Sequence, residues 1–138
     1  MASFQRFNCF VEDLAEKVHN LGSDTLKIML TNSAPSASNT TKSDITEISA
    51  GNGYTAGGMP VTVTSSAQSG GTYKLVGIDP SITASGSVGP FQYAVLYNDS
   101  SAGDSLIGYW DRGSALTLAN GDTFTVDLDG TNGILQIA

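Results

Sequence analysis

Alternation of apolar and polar residues dominates the second half of the chain. Residues 91–126 read FQYAVLYNDSSAGDSLIGYWDRGSALTLANGDTFTV and divide into four short alternating runs, each closed by Gly, Asn, Asp or Ser. A period of two residues is that of a β-strand, and these small residues favour turns. The first run is apolar on both faces, with Phe91, Tyr93, Val95 and Tyr97 on one and Ala94 and Leu96 on the other. The pattern therefore predicts an antiparallel sheet with one central, doubly covered strand.

Further strands are predicted on either side of this run. They cover residues 25–31, 60–65, 72–77, 106–110, 116–118, 124–128 and 134–137, with 78–84 as an additional candidate. The segment 106–110 is expected to pair with the first run across the polar loop 98–104, and Asn120-Gly121 is a strong hairpin signal. About eight strands at this spacing predict a mainly β chain. We expect one domain, residues 1–138, forming an antiparallel β-sandwich (jelly-roll or Ig-like) or a barrel.

One amphipathic α-helix is predicted at the N-terminus, over residues 3–21. Ser3 is a suitable N-cap and Gly22 stands where a C-terminal glycine belongs. The apolar positions recur at intervals of three and four residues, at Phe4, Phe7, Val11, Leu14, Val18 and Leu21. Two interpretations stay open: the helix covers the β domain, or its apolar seam packs against copies of itself. Phe10 widens the apolar stripe and favours the first.

Two loops separate the early strands. Residues 32–43 (NSAPSASNTTKS) are polar and predict a long loop or extended arm. Residues 44–58 contain four glycines, at 51, 53, 57 and 58, which predict a shaped loop around Tyr54. We expect the arm and the N-terminal helix to be the elements that touch neighbouring molecules.

Composition excludes several classes of protein. The 138 residues carry 13 acids and 6 bases, a net charge of −7, and beyond Lys74 only Arg112 is basic. A nucleic-acid binder needs a basic footprint, so we expect no nucleic-acid partner. Cys9 is the single cysteine, which rules out an intrachain disulfide. No apolar run approaches the ~20 residues of a membrane span, and the N-terminus lacks the apolar core of a signal peptide. We expect a soluble protein made in the cytoplasm, with no membrane partner.

The sequence contains no pattern that indicates catalysis. His19, the only histidine, has no nucleophile fixed beside it, so a helix-surface or interface role is expected. Cys9 has no partner at metal-ligand spacing. Asp127, Asp129 and Asn132 offer oxygen ligands, but they lack the spacing of a calcium loop and equally suit a turn. We therefore predict a protein that is not an enzyme, with no catalytic residue, metal or cofactor.

The aromatic residues of the long run have two interpretations. Tyr93, Tyr97, Tyr109 and Trp110 could form a platform for a ligand, whereas aromatics on adjacent strands more often build cross-strand core contacts. Tyr109 and Trp110 are consecutive, so one of them is expected to face outwards. If it is Trp110, this residue is a candidate interface anchor.

Three segments together carry a resemblance to a known group of proteins. They are residues 4–35 (FQRFNCF through LTNSAP), 43–58 (SDITEISAGNGYTAGG) and 94–127 (AVLYNDSSAGDSLIGYWDRGSALTLANGDTFTVD). With these segments the chain resembles small structural proteins of tailed bacteriophages, either head decoration or tail-associated. The resemblance is one of overall pattern and involves no catalytic signature. It implies a non-enzymatic virion component.

These observations lead to one expected function and two alternatives. We expect a capsid decoration (cement) protein, a homotrimer that binds the outer surface of a phage head, contacts the major capsid protein and stabilises capsomer contacts. The alternatives are a tail or fibre component, and a carbohydrate-binding module with Tyr54 or Trp110 as stacking residue. The candidate interface residues are Phe4, Phe7, Val11, Leu14, Val18, Tyr54 and Trp110.

Overall fold

The computed structural model describes residues 2–138, and in them the chain is mainly β, as its alternating pattern predicts. One α-helix, α1, is preceded and followed by strands. A short 3₁₀ turn spans Lys42–Asp44. In chain order the elements are β1 (Gln5–Arg6), α1 (Cys9–Ala15), β2 (Leu26–Thr31), β3 (Met59–Pro60), β4 (Thr62–Ser69), β5 (Thr72–Ile78), β6 (Ser81–Thr83), β7 (Val88–Asn98), β8 (Leu106–Leu118), β9 (Thr123–Thr125) and β10 (Leu135–Ile137).

The strands form one large sheet and two small ones. The large sheet has the order β1-β8-β7-β2-β3, and the small sheets have the orders β10-β5-β4 and β6-β9. Every pairing is antiparallel. The predicted partner of the first run is confirmed, since β7 pairs with β8 along most of its length, and its other neighbour is β2.

The main core lies between the large sheet and the two small ones. Leu26, Ile28 and Leu30 of β2 contribute one wall, and Leu75, Ile82, Ile134 and Leu135 belong to the facing layer. All seven side chains are buried. Full burial of a side chain of this size is worth about 1.5–3 kcal/mol, so this interface is the main source of stability. The arrangement is the sandwich-like packing of antiparallel sheets that the sequence predicts.

The opposite face of the large sheet is also covered, as expected for a central strand with apolar residues on both sides. Met29, Val95, Tyr97 and Leu106 form a second cluster with Phe7. Ile45 and Cys9 pack against this cluster from outside the sheet. The segment after β2 lies along the sheet, where the Asn8 N–H donates to the Ala37 carbonyl at 2.9 Å and the Leu106 N–H donates to the Thr40 carbonyl at 3.0 Å. The predicted arm 32–43 is thus folded against its own domain.

The prediction of a helix over residues 3–21 is wrong in extent. Gln5 and Arg6 form a strand paired with Tyr109 and Gly108 of β8. The reason is tertiary, because β8 otherwise leaves an open edge whose backbone groups need partners. The Phe4 ring lies over Gly108, in space that a Cβ there would occupy. The helix begins after Asn8, whose side chain makes no capping bond, so Ser3 is not the N-cap.

The helix also ends early, at a termination motif that its sequence does not indicate. Lys17 has a φ of +68°, the left-handed conformation in which helices commonly terminate. The Val18 N–H donates to the Asp13 carbonyl at 2.8 Å, and the Lys17 N–H donates to the Leu14 carbonyl at 3.4 Å. This is the hydrogen-bond pattern of a Schellman motif, with lysine where glycine is usual. Gly22 therefore lies beyond the helix and does not terminate it.

The Asn120-Gly121 turn is present but does not form a hairpin. The Asp122 N–H donates to the Ala119 carbonyl at 3.0 Å, which closes the turn. The strand that follows, β9, pairs with β6 and not with β8. Phe124 of β9 contacts Phe91 edge-on, with the ring centroids 4.8 Å apart. The chain thus uses this turn to leave the large sheet and enter the facing layer.

Candidate functional site

The structure does not bring the seven predicted interface residues together on one surface. Phe7 is fully buried and Tyr54 is 2% exposed, so the expectation that these two contact a partner is wrong for the folded domain. Val11 and Val18 are exposed, at 48% and 36%. The remaining three, Phe4, Leu14 and Trp110, are half-buried.

Tyr54 has a structural role at the centre of its loop. Its hydroxyl donates to the Glu47 carboxylate and accepts the Leu30 N–H at 3.0 Å. The same Glu47 oxygen accepts the Gly57 N–H at 2.8 Å. Burial, together with the hydrogen bond to Glu47, raises the pKa of Tyr54 far above its ordinary value, so the phenol keeps its proton. The glycine-rich loop is indeed shaped around Tyr54, but inwards, as an anchor to β2.

An exposed apolar surface lies beside the helix instead. Leu14 and Val18 border a groove of about 610 Å³, which also reaches Ile137 at the end of β10. Ile137 is 36% exposed. It also lines a neighbouring depression of about 430 Å³, with Phe4, Phe10 and Leu135. Val11 lines neither depression; it is exposed on α1, three residues before Leu14. We call the set of Val11, Leu14, Val18 and Ile137 the N-terminal apolar surface. The spacing of apolar residues does not indicate Ile137, which the C-terminal strand brings to the helix.

The sole histidine lies beneath this surface and is not exposed. His19 is 5% exposed, its Nδ1 is 3.0 Å from the Asn98 Nδ2, and its ring contacts Phe10. Asn98 also donates to the Asp24 carboxylate at 2.7 Å. Within the described residues His19 Nε2 has no hydrogen-bond partner. Burial lowers the pKa of His19 below its ordinary value, although Asp13 and Asp24 oppose the shift. No nucleophile is among these contacts, so the network ties the segment after α1 to the end of β7.

Cys9 is covered by the segment that follows β2. Its Sγ lies 3.6 Å from the Asn39 carbonyl and 3.7 Å from that of Leu106, and the residue is half-buried. Burial, followed by the charge of Asp13, raises the pKa of this thiol. A raised pKa reduces the thiolate fraction, which is the reactive form. This position suits packing better than chemistry.

A second, smaller cavity lies at the bulged end of the β7–β8 pair. Its volume is about 170 Å³, and its lining includes four aromatic residues, Phe91, Tyr93, Trp110 and Phe124. Gln92, Arg112 and Asp127 also line it. We call it the Trp110 cavity. Trp110 is half-buried, packs on the main core and meets Phe4 edge-on at 5.2 Å. The question of core or contact therefore has a mixed answer, since Trp110 serves the core and faces a cavity.

A bulge in β8 shapes one side of the Trp110 cavity. Phe91 lies opposite Leu116 and Tyr93 opposite Asp111, so two steps along β7 correspond to five along β8, three more. Asp111 fixes the bulge by accepting the Gly113 N–H at 2.7 Å and the Gln92 side-chain amide at 2.9 Å. These hydrogen bonds lower the pKa of Asp111, and the bond from Gln92 has the larger effect. Bulges of this kind redirect side chains and are common beside functional sites.

The acidic turn near the C-terminus uses its carboxylate internally. Asp129 accepts the N–H groups of Thr131 and Asn132 at 2.9 and 2.7 Å, and the Asn132 side-chain amide at 3.0 Å. These bonds lower the pKa of Asp129. Across residues 2–138 no cluster of three or more His, Cys, Asp or Glu side chains is arranged to hold a metal ion. In the same residues no helix has the length and apolar character that crossing a bilayer requires.

No protein-family model, curated protein or solved structure matches this chain. Any function must therefore be argued from the two surfaces described above, the N-terminal apolar surface and the Trp110 cavity.

Proposed function

We propose that this chain is a non-enzymatic structural protein of a tailed-phage virion, a decoration protein that binds the outer surface of the head. Its partner is the major capsid protein, it is made in the host cytoplasm, and it binds as a homotrimer. Residues 4–35, 43–58 and 94–127 resemble small structural proteins of tailed bacteriophages, and this resemblance suggests that the particle is a phage virion. The single structural observation that supports the proposal is the N-terminal apolar surface, which leaves Val11 and Val18 exposed.

The exposed valines are informative because the fold leaves these apolar side chains outside its core. Helix α1 buries Phe10 in the main core and leaves Val11 pointing away from it, at 48% exposure. Val18 and Ile137 are each 36% exposed and border the same groove. Clustered apolar side chains beside a groove are a feature of protein contact sites, whereas single scattered ones are not. The proposal assigns this cluster to the contact with the shell.

The surrounding charge supports selectivity for a basic partner surface. Glu12 and Glu16 are exposed on and beside α1, and the chain as a whole has a net charge of −7. Lys17 lines the groove and Arg6 lines the neighbouring depression, so the rim itself carries both signs of charge. The net negative charge of the whole chain is what favours a partner patch of opposite sign and speeds the encounter. Binding only to the assembled shell would then raise the stability of the shell by mass action.

A binding assay with charged substitutions tests the proposal. The double variant Val11→Asp, Val18→Asp puts two carboxylates into the proposed contact. Ile78→Asp places one on an exposed apolar residue of β5, 58% exposed, which does not belong to the N-terminal apolar surface. We expect the double variant to lose at least about a hundredfold in affinity for undecorated heads, because each desolvated charge costs more than 1.4 kcal/mol. Ile78→Asp should bind normally. Equal binding by all three proteins would refute the assignment, and binding to tails alone would favour a tail or fibre component.

A further inference from the structure

The Trp110 cavity has the size of one ring and has aromatic residues in its lining. Its volume of about 170 Å³ is close to that of an engineered cavity that holds benzene, about 150 Å³. Phe91 and Phe124 hold each other edge-on, and Trp110 is held edge-on by Phe4. These contacts fix the rings before any ligand arrives, which reduces the entropy that binding would cost.

The polar groups of the cavity combine both signs of charge with a neutral amide. Arg112 and Asp127 are exposed and do not pair with each other, since the ion pair found in residues 2–138 is Lys27–Asp99. Arg112 donates from one guanidinium nitrogen to Ser114 at 3.0 Å, which leaves further N–H groups free. Gln92 donates one amide hydrogen to Asp111 and keeps its carbonyl oxygen free. The cavity thus offers donors and acceptors around an apolar interior.

This combination selects one chemical class of ligand. A ligand of one charge is attracted by one of Arg112 and Asp127 and opposed by the other, and a purely apolar group leaves the hydrogen-bonding groups of Gln92, Arg112 and Asp127 unused. A neutral ring with an apolar face and several hydroxyl groups satisfies both requirements, because its face packs on aromatic rings while its hydroxyls both donate and accept. We propose that the Trp110 cavity is a binding site for a single neutral pyranose ring, contacted by Trp110 and hydrogen-bonded by Gln92, Arg112 and Asp127.

The proposed site is separate from the contact with the shell. The Trp110 cavity shares no lining residue with the groove beside α1 or with the neighbouring depression. A protein anchored through its N-terminal apolar surface would therefore be free to bind a saccharide through the other site. This binding function goes beyond the structural role proposed above, and each can fail without the other.

The only tryptophan of the chain makes the test direct. Trp110 fluorescence of the purified protein is followed during titration with neutral hexoses, pentoses and N-acetylhexosamines, up to about 100 mM because single-ring ligands bind weakly. Saturation-transfer NMR of each sugar provides a second readout. The variants are Asp127→Asn and Arg112→Gln, with Glu16→Gln and Arg6→Gln as controls that make the same charge changes on exposed residues outside the cavity.

We expect at least one sugar to shift the Trp110 emission, with a dissociation constant that rises about tenfold or more in Asp127→Asn and in Arg112→Gln. The controls should bind like the original protein. Three results would overturn the proposal. They are the absence of any saturable signal across the panel, affinities unchanged in both cavity variants, and tighter binding of phenol than of every sugar, which would indicate an apolar anchor site.

Discussion

Replacing Tyr54 by phenylalanine removes one hydroxyl from the most heavily hydrogen-bonded aromatic residue of the core. The lost hydroxyl donates to the Glu47 carboxylate and accepts from the Leu30 N–H. A hydrogen bond to a charged group is worth about 1.5–3 kcal/mol and a neutral one about 0.5–1.5 kcal/mol. Both partners stay in place after the substitution, and Leu30 is fully buried, so its N–H has no access to water. We expect Tyr54→Phe to lower the free energy of unfolding by about 2–4 kcal/mol.

The same change at Tyr73 is the matched control. Its hydroxyl pairs with the Ser66 hydroxyl at 2.7 Å near the surface, where water replaces the lost partner. The expected cost of Tyr73→Phe is about 0.5 kcal/mol or less. The entropy of unfolding for a chain of this length is about 0.29 kcal/mol/K. Tyr54→Phe should therefore lower Tm by about 7–14 °C, and Tyr73→Phe by less than about 2 °C. Urea denaturation, with slopes that stay equal, measures the difference. If Tyr54→Phe is no more destabilising than Tyr73→Phe, the structural role given to Tyr54 is wrong.

Three further predictions concern stability. Gly58→Ala should lower the free energy of unfolding by about 3 kcal/mol or more, because a Cβ there lies 2.6 and 2.7 Å from backbone atoms of β2. Gly121 also has a positive φ but faces open space, so Gly121→Ala should cost about 1 kcal/mol. Equal urea midpoints for the two variants would contradict this prediction. Lys17→Gly should raise Tm by about 2–4 °C by relieving the left-handed residue, while Ala15→Gly inside α1 lowers it; a lower Tm for Lys17→Gly would refute the cap assignment. The folded pKa of His19 lies below its ordinary 6.5, so the contribution of His19 to stability is complete above about pH 6.5. On acidification towards the folded pKa, the free energy of unfolding falls by at most about 1.4 kcal/mol per pH unit. His19→Gln should flatten this slope in urea titrations from pH 7.5 to 5.5, and an unchanged slope would contradict the prediction.

The class of fold was predictable because strand periodicity is local and strongly expressed. The double-sided pattern of residues 91–97 correctly predicts a central strand, and it does so without knowledge of what covers each face. The helix was over-extended for a related reason. Phe4 and Phe7 fit helical spacing, but β8 offers an open edge beside Gly108, and pairing there overrides the local pattern. Such an edge exists only after the sheet has formed.

The candidate sites were less accessible to sequence reasoning, since they depend on which elements meet. Val11 and Val18 were named from their spacing, but Ile137 joins Val18 at the groove only because the C-terminal strand lies there. Tyr54 was singled out by the glycines around it, yet its hydroxyl donates to Glu47, seven residues earlier in the chain, a contact that the glycine pattern does not indicate. The Trp110 cavity depends on the three-residue excess of β8 over β7, which spacing does not reveal. The local signal of that bulge in the sequence is the glycine at position 113, which the structure holds at a φ of +93°.

The copy number of this protein in purified particles is the most direct test of the proposed function. Particles produced by the genome that encodes the chain are purified, and the protein is quantified against the major capsid protein by calibrated mass spectrometry. A decoration protein is predicted at a copy number of the same order as the capsid protein, and it should be lost from particles that carry the Val11→Asp, Val18→Asp variant. A few copies per particle, or none, would contradict the account.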